Sequence, residues 1–228
     1  MITTLNTYRS ASAINSAMAR VYANMFLALI TSMVVSFAVS TSPALMAFFF
    51  TGFMKWITIF APLAAMFLLI PFMNSNPPRE LARLALLAFA ALMGLSFATI
   101  FVVYTLGSIV SAFMGAAVLF GTMSFYGYFT KKNLESWGSF LFVGLIAIII
   151  ASVINIFIGS TVTAMVISAL AIIIFLGLTA YDTQRIREMV SVETENGSAE
   201  VMGALSLYLN FINIFLSLLQ LFGVKNND

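Results

Sequence analysis

An all-α integral membrane protein that crosses the bilayer seven times is the fold class this sequence predicts, and three observations predict it. Hydrophobic residues make up 62% of the 228 positions and charged residues only 8%, more apolar surface than a soluble globule of this size can bury. The stretches 21–54, 56–78, 84–130, 136–181 and 201–224 carry no charged side chain, and each reaches the ~20 residues that a membrane helix needs. Finally, the basic residues alternate in a way that fits seven crossings. Arg9, Arg20, Arg79, Arg83, Lys131, Lys132, Arg185 and Arg187 fall on one side of such a path, against Lys55 and Lys225 on the other.

Taken in order, the segment before Arg20 is polar and precedes a first span at 21–41. That span lacks a small-residue cleavage pattern and is read as retained rather than as a removable signal. A second span at 55–73 contains Pro62 and Pro71, which permit kinks where neighbours satisfy the freed carbonyls. The run 84–130 is long enough for two spans, 84–104 and 109–129, turning near Leu106-Gly107-Ser108. The run 136–181 holds spans at 139–158 and 162–182, turning near Gly159-Ser160-Thr161. The last span is 202–222. This makes one membrane domain, 21–222, between a polar amino-terminal segment 1–20 and a short tail 223–228. Cytoplasmic loops retain Lys and Arg, so the amino terminus is expected inside. The carboxyl terminus is then outside if the last helix crosses, and inside if it re-enters. The longest polar connection, 185–200, carries Glu188, Glu193, Glu195 and Glu200 and reads as a solvated loop, with cation sensing by those acids as a lesser alternative.

Composition also removes chemistries. With no Cys there is no disulfide, thiol nucleophile or Cys metal site, and with no His the commonest catalytic base and zinc ligand is missing. A net charge of +2 from scattered basic residues does not suit a nucleic-acid partner. No cofactor site is indicated. The Met and Phe content reads as lipid-facing and core bulk, and the pairs Ser111/Gly115 and Ala112/Ala116 as tight helix packing.

Asp182 is the residue that stands out, because it ends a long uncharged stretch at the inner end of the sixth span. An intramembrane acid is costly and usually faces a cavity or a polar partner. It is either a boundary ion pair with Arg185 or a gate and transient cation ligand. On the last span, Gly203, Ser206, Asn210, Asn213, Ser217 and Gln220 recur at alternating spacings of three and four, drawing one polar stripe down an apolar helix. That stripe serves as interhelical glue or as a pathway lining, and both uses bury it. Asn155 is a weaker candidate for a bond across helices.

Four segments together carry a resemblance: Ala19-Arg20-Val21-Tyr22-Ala23-Asn24-Met25, Asn155-Ile156-Phe157, Tyr181-Asp182-Thr183-Gln184, and the stretch from Ala204 to Phe215 that reads ALSLYLNFINIF. In order and across nearly the whole chain, they resemble the Bax inhibitor family, also called the transmembrane Bax inhibitor motif family, and its bacterial members most. The resemblance implies six helices surrounding a central last helix, residence in the bacterial cytoplasmic (inner) membrane, and a pH-sensitive calcium leak. It implies a gate built from an acid in the sixth span and a second acid in the seventh, assisted by a basic residue for which Arg79 is the nearest match. Asp182 matches the first acid, but Asn210 stands where the second is expected. One carboxylate beside an amide cannot share a proton as two carboxylates do, so family-type pH gating is not expected in its usual form.

A calcium-permeable leak channel therefore places Asp182 at a cytoplasmic gate with Asn210, Asn213, Ser206, Ser217 and Arg79 along the path. The alternative is a non-conducting regulator that binds other membrane proteins, such as a quality-control protease. An intramembrane aspartyl protease would need a second carboxylate as acid or base. The sequence offers none inside a span, so no enzymatic activity is expected.

Overall fold

Long uncharged runs of Leu, Ile, Phe, Ala and Val must hydrogen-bond their backbone internally in lipid, which helices alone achieve within one segment. The computed structural model accordingly contains helices throughout, without a β-strand among the described residues, which are 9–192 and 197–226. Helix α1 covers Ala11–Ser40, α2 Pro43–Phe50, α3 Met54–Asn74, α4 Arg79–Phe97, α5 Ile100–Val103, α6 Leu106–Phe129, α7 Glu135–Ile158, α8 Thr161–Ser191 and α9 Ser198–Phe222. Seven of these segments, with α4 and α5 counted as one, are long and apolar enough to cross a membrane.

Three boundaries differ from expectation. Helix α1 begins at Ala11, N-capped by the Ser10 hydroxyl, which accepts the Ala13 N–H, so Arg20 lies well inside a helix rather than in a polar tail. The turn expected at 106–108 falls at Tyr104–Thr105 instead, where the Thr105 side chain caps α6. The polar connection expected over 185–200 is much shorter, since α8 continues to Ser191 and α9 starts at Ser198. Glu193 and Glu195 lie outside the described residues. The turn at Gly159 is as expected, with φ +69 ending α7. Helix α2 is additional. It spans only about 12 Å, begins with Ser42 as N-cap and Pro43 in its first turn, and buries none of its side chains.

The described chain divides into two compact units, the first up to Val103 with Ile186–Tyr208, the second Tyr104–Arg185 with the chain from Leu209. In the first, α1 and α4 meet along small residues: Ala17, Val21, Ala28, Ala82 and Ala90 are fully buried. Gly94 lies directly on the backbone of Ser32, where a Cβ would collide. The Ser32 hydroxyl is 2.8 Å from the Ala90 carbonyl and 2.7 Å from the Tyr208 hydroxyl. Ser32 has one proton, so with Ala90 accepting it, Tyr208 donates to Ser32. This bond set ties α1, α4 and α9 together, and Phe89 packs edge-on against Tyr208.

In the second unit, glycines again set the approach. Gly127 lies on the Ala180 backbone, Gly138 on the Tyr181 ring, and Gly177 on Leu141. Phe113 and Phe120 meet Phe211 edge-on, and Phe113 also meets Phe215. The tail after α9 pairs with the segment before α6. Lys225 bridges Tyr104, the Thr105 N–H donates to the Val224 carbonyl at 3.0 Å, and the Val224 N–H donates to the Ser108 hydroxyl at 2.9 Å. The tail thus sits at the Leu106 end of α6, away from Lys131 and Lys132 at the other end. Helix α9 runs without a break from Ser198 to Phe222. It is also the most enclosed span, with 67% of its most apolar window buried against 6% for α7.

Candidate functional site

Helix α8 rises about 32 Å from Thr161 to Asp182, close to the thickness of the hydrocarbon core, so the acid reaches the polar end of its own span. The residues beside it are each held. Tyr181 packs against Gly138, where a Cβ would come within 2.6 Å of the ring. Thr183 is buried, donates to the Thr179 carbonyl at 2.7 Å, and receives the Ser124 hydroxyl proton across 3.0 Å. Gln184 accepts the Leu134 N–H and donates to the Lys132 carbonyl, both at 2.9 Å. This amide pins the α6–α7 connection to α8. With anchored neighbours on both sides, the Asp182 carboxylate has a fixed origin and direction.

Its partner is Asn210. The Asn210 Nδ2 donates to Asp182 Oδ2 at 2.7 Å, in the range of a charge-assisted bond. Asn210 is 5% exposed. The acid and the amide expected to face one another therefore do. Asp182 and Arg185 form no ion pair within 4 Å, and Arg185 is exposed. The partner group being an amide, the described site holds no carboxyl pair, and no group of three acidic side chains suited to a resident metal occurs among the described residues.

The other stripe residues behave differently. Asn213 donates to the Leu209 carbonyl of its own helix at 2.8 Å, and Ser206 bonds back to Met202 at 3.4 Å. Ser217 is 8% exposed. Gln220, on the exposed side, accepts the Ser168 hydroxyl at 2.8 Å and so ties α9 to α8. Gly203 is buried against Ile186. Asn155 does not bond across helices: its Oδ1 is buried without a hydrogen-bond partner. Arg79 is engaged on Glu200, with 3.5 Å between Nη2 and Oε2.

Glu200 is the main correction. It does not belong to a solvated loop but is 1% exposed. Arg20 grips it through Nε and Nη2 at 2.8 and 2.7 Å, and Arg9 approaches to 3.7 Å. The signal in the sequence was charge balance, because Arg20, in the first turns of an apolar helix, demands an acid. Tyr208, Ser32 and Gln184 carry no such signal, since their partners are distant in sequence and two of the acceptors are backbone carbonyls.

A family model described as Inhibitor of apoptosis-promoting Bax1 matches residues 14–227. The chain is 36% identical over 211 residues to the Inner membrane protein YbhL of Escherichia coli, covering 90% of each chain. It is 37% identical over 219 residues to a protein of Borreliella burgdorferi, covering 94% of each. A protein of Caulobacter vibrioides is 38% identical over 216 residues, covering 89% of this chain and 86% of that one. These are bacterial proteins, one of them named for the inner membrane. With the matching order of motifs and seven apolar helices long enough to span a bilayer, they establish that this chain is an integral membrane protein belonging to the Bax inhibitor family.

Proposed function

We propose that the protein is a calcium-permeable leak channel of the bacterial inner membrane, closed at the cytoplasmic end of α8 by the bond between Asp182 and Asn210. The observation that carries this reading is the 2.7 Å contact from Asn210 Nδ2 to Asp182 Oδ2. Among the described residues, it leaves the Asp182 carboxylate under a single side-chain donor that a cation could displace. A hard divalent cation is bound by oxygen ligands. It competes for the Asp182 oxygens and finds a second oxygen in the Asn210 amide once that side chain releases the acid.

Ser206, Asn213 and Ser217 lie on the same stripe of α9 and would offer hydroxyl and amide oxygens along the path. The basic residues concentrated in one set of connections support an amino terminus in the cytoplasm. The enclosure of α9 supports its position as the central helix of the family arrangement. Because the pair is acid and amide, closure depends on one hydrogen bond rather than on a proton shared by two acids, and pH gating is not expected in the usual form of the family.

The test is calcium entry into liposomes holding the purified full-length protein, at neutral and mildly acidic pH, for the wild type and Asp182→Ala. Flux that changes on neutralising Asp182 supports the channel and this gate. Absence of flux from correctly folded protein in both forms rejects it and leaves the non-conducting regulator of membrane-protein partners.

A further inference from the structure

We propose that the arginine-rich end of the first unit is a phosphate-binding site, formed by Arg79 and Arg83 with Arg20, that takes a phosphate group from an anionic membrane lipid or from free phosphate. Three guanidiniums, from the segment before α1, from α1 and from the start of α4, converge on the single carboxylate of Glu200. Among the described residues, only Arg20 hydrogen-bonds it. Arg79 at 3.5 Å and Arg9 at 3.7 Å are held by charge alone, so most of their N–H donors are unmatched among the described residues. Among the described residues, one negative charge faces three positive ones.

Arg83 adds a separate observation. It stands four residues after Arg79, on the same side of α4, and its Nε is buried without a hydrogen-bond partner. A buried guanidinium nitrogen lacking an acceptor leaves a place for one, and the positive charge of the guanidinium favours an anion there. Glu80 and Glu188 are exposed and form no ion pair with these arginines. The seat is also shaped. Gly197, at φ +65, lies against the Arg79 guanidinium, where a Cβ would be 2.5 Å from Nε and 2.7 Å from Nη2. The absent side chain leaves room for that guanidinium against Gly197, with the Arg79 side chain 43% exposed.

Several planar guanidinium forks suit a tetrahedral anion with several oxygens. The position, at the start of a membrane helix, is where basic pockets meet lipid phosphates.

The experiment is native mass spectrometry of full-length protein in detergent, offered phosphatidylglycerol or phosphatidylcholine of matched chains, with thermal stability in added inorganic phosphate as a parallel arm. Retention of phosphatidylglycerol is expected to exceed that of phosphatidylcholine and to fall about fivefold for Arg83→Gln or Arg79→Gln. Arg83→Lys should keep most of it, and Lys55→Gln should change nothing. Stabilisation by inorganic phosphate that is lost in Arg83→Gln identifies free phosphate as the ligand; lipid preference without that stabilisation identifies the lipid. The proposal is overturned if neither arm responds in wild type, or if both Gln variants, monodisperse and folded, bind as wild type does.

Discussion

Exchanging Glu200 for Gln keeps the size and shape of the side chain and removes only its charge, so the loss isolates what the carboxylate contributes. Two unit charges about 4 Å apart attract by about 4 kcal/mol at the effective dielectric of ~20 found near protein surfaces. The bidentate Arg20 contact at 2.7 and 2.8 Å meets that distance. Removing one partner of a buried pair costs about 3–5 kcal/mol when the other is left without a counter-charge. Glu200 is buried, but the Arg20 and Arg79 side chains are 42% and 43% exposed. Water therefore screens part of the repulsion left behind, and the expected loss for Glu200→Gln is about 2–3 kcal/mol. Unfolding in mixed detergent micelles, followed through the fluorescence of Trp56 and Trp137, measures it. The deficit should shrink at higher salt, since three like charges are then screened. Arg20→Gln should cost less, and Arg79→Gln less again, because each leaves the carboxylate two other arginines. A loss below about 0.5 kcal/mol for Glu200→Gln, the range of an ordinary surface change, would refute the reasoning, as would a larger loss for Arg79→Gln.

Gly94→Ala forces a Cβ into the Ser32 backbone and should cost about 1–3 kcal/mol. Gly121→Ala, with nothing within 4 Å, should be neutral or slightly stabilising by the same unfolding assay. Tyr208→Phe removes the donor to Ser32 and should cost about 1 kcal/mol, without altering calcium entry into liposomes. Asn210→Asp places two carboxyls facing each other and should change the pH profile of that entry from the wild type's to that of a coupled pair. Equal pH profiles in the two would falsify the role given to Asn210.

Much of the membrane architecture was legible because the bilayer imposes it. Any uncharged run of the required length must become a helix, and the runs here are bounded by arginines, lysines and acids. What went unread is local. Helix α2 sits in the middle of one apolar run, so hydropathy could not separate it from α1; only Ser42-Pro43 marked its start. Glu200 looked solvated because its neighbours in sequence are polar, while its partners are Arg20, 180 positions earlier, together with Arg9 and Arg79. The facing of Asp182 and Asn210 was readable because both interrupt otherwise uncharged or apolar helices. The hold of Gln184 on Leu134 and Lys132 was not, since backbone groups leave no trace in the side-chain pattern.

The pairing of the tail with Tyr104 and Thr105 bears on how Asn210 could leave Asp182. Val224 is fastened by its N–H and its carbonyl to the start of α6, about 21 Å along the chain axis from Asn210. A helix anchored in that way cannot slide lengthwise without tearing its own end free. Tyr208, two residues before Asn210, is in turn bonded to Ser32, so the backbone is held on both sides of the amide. The motion left to Asn210 is a rotation of its own side chain, which releases the carboxylate while the Tyr104 end stays closed.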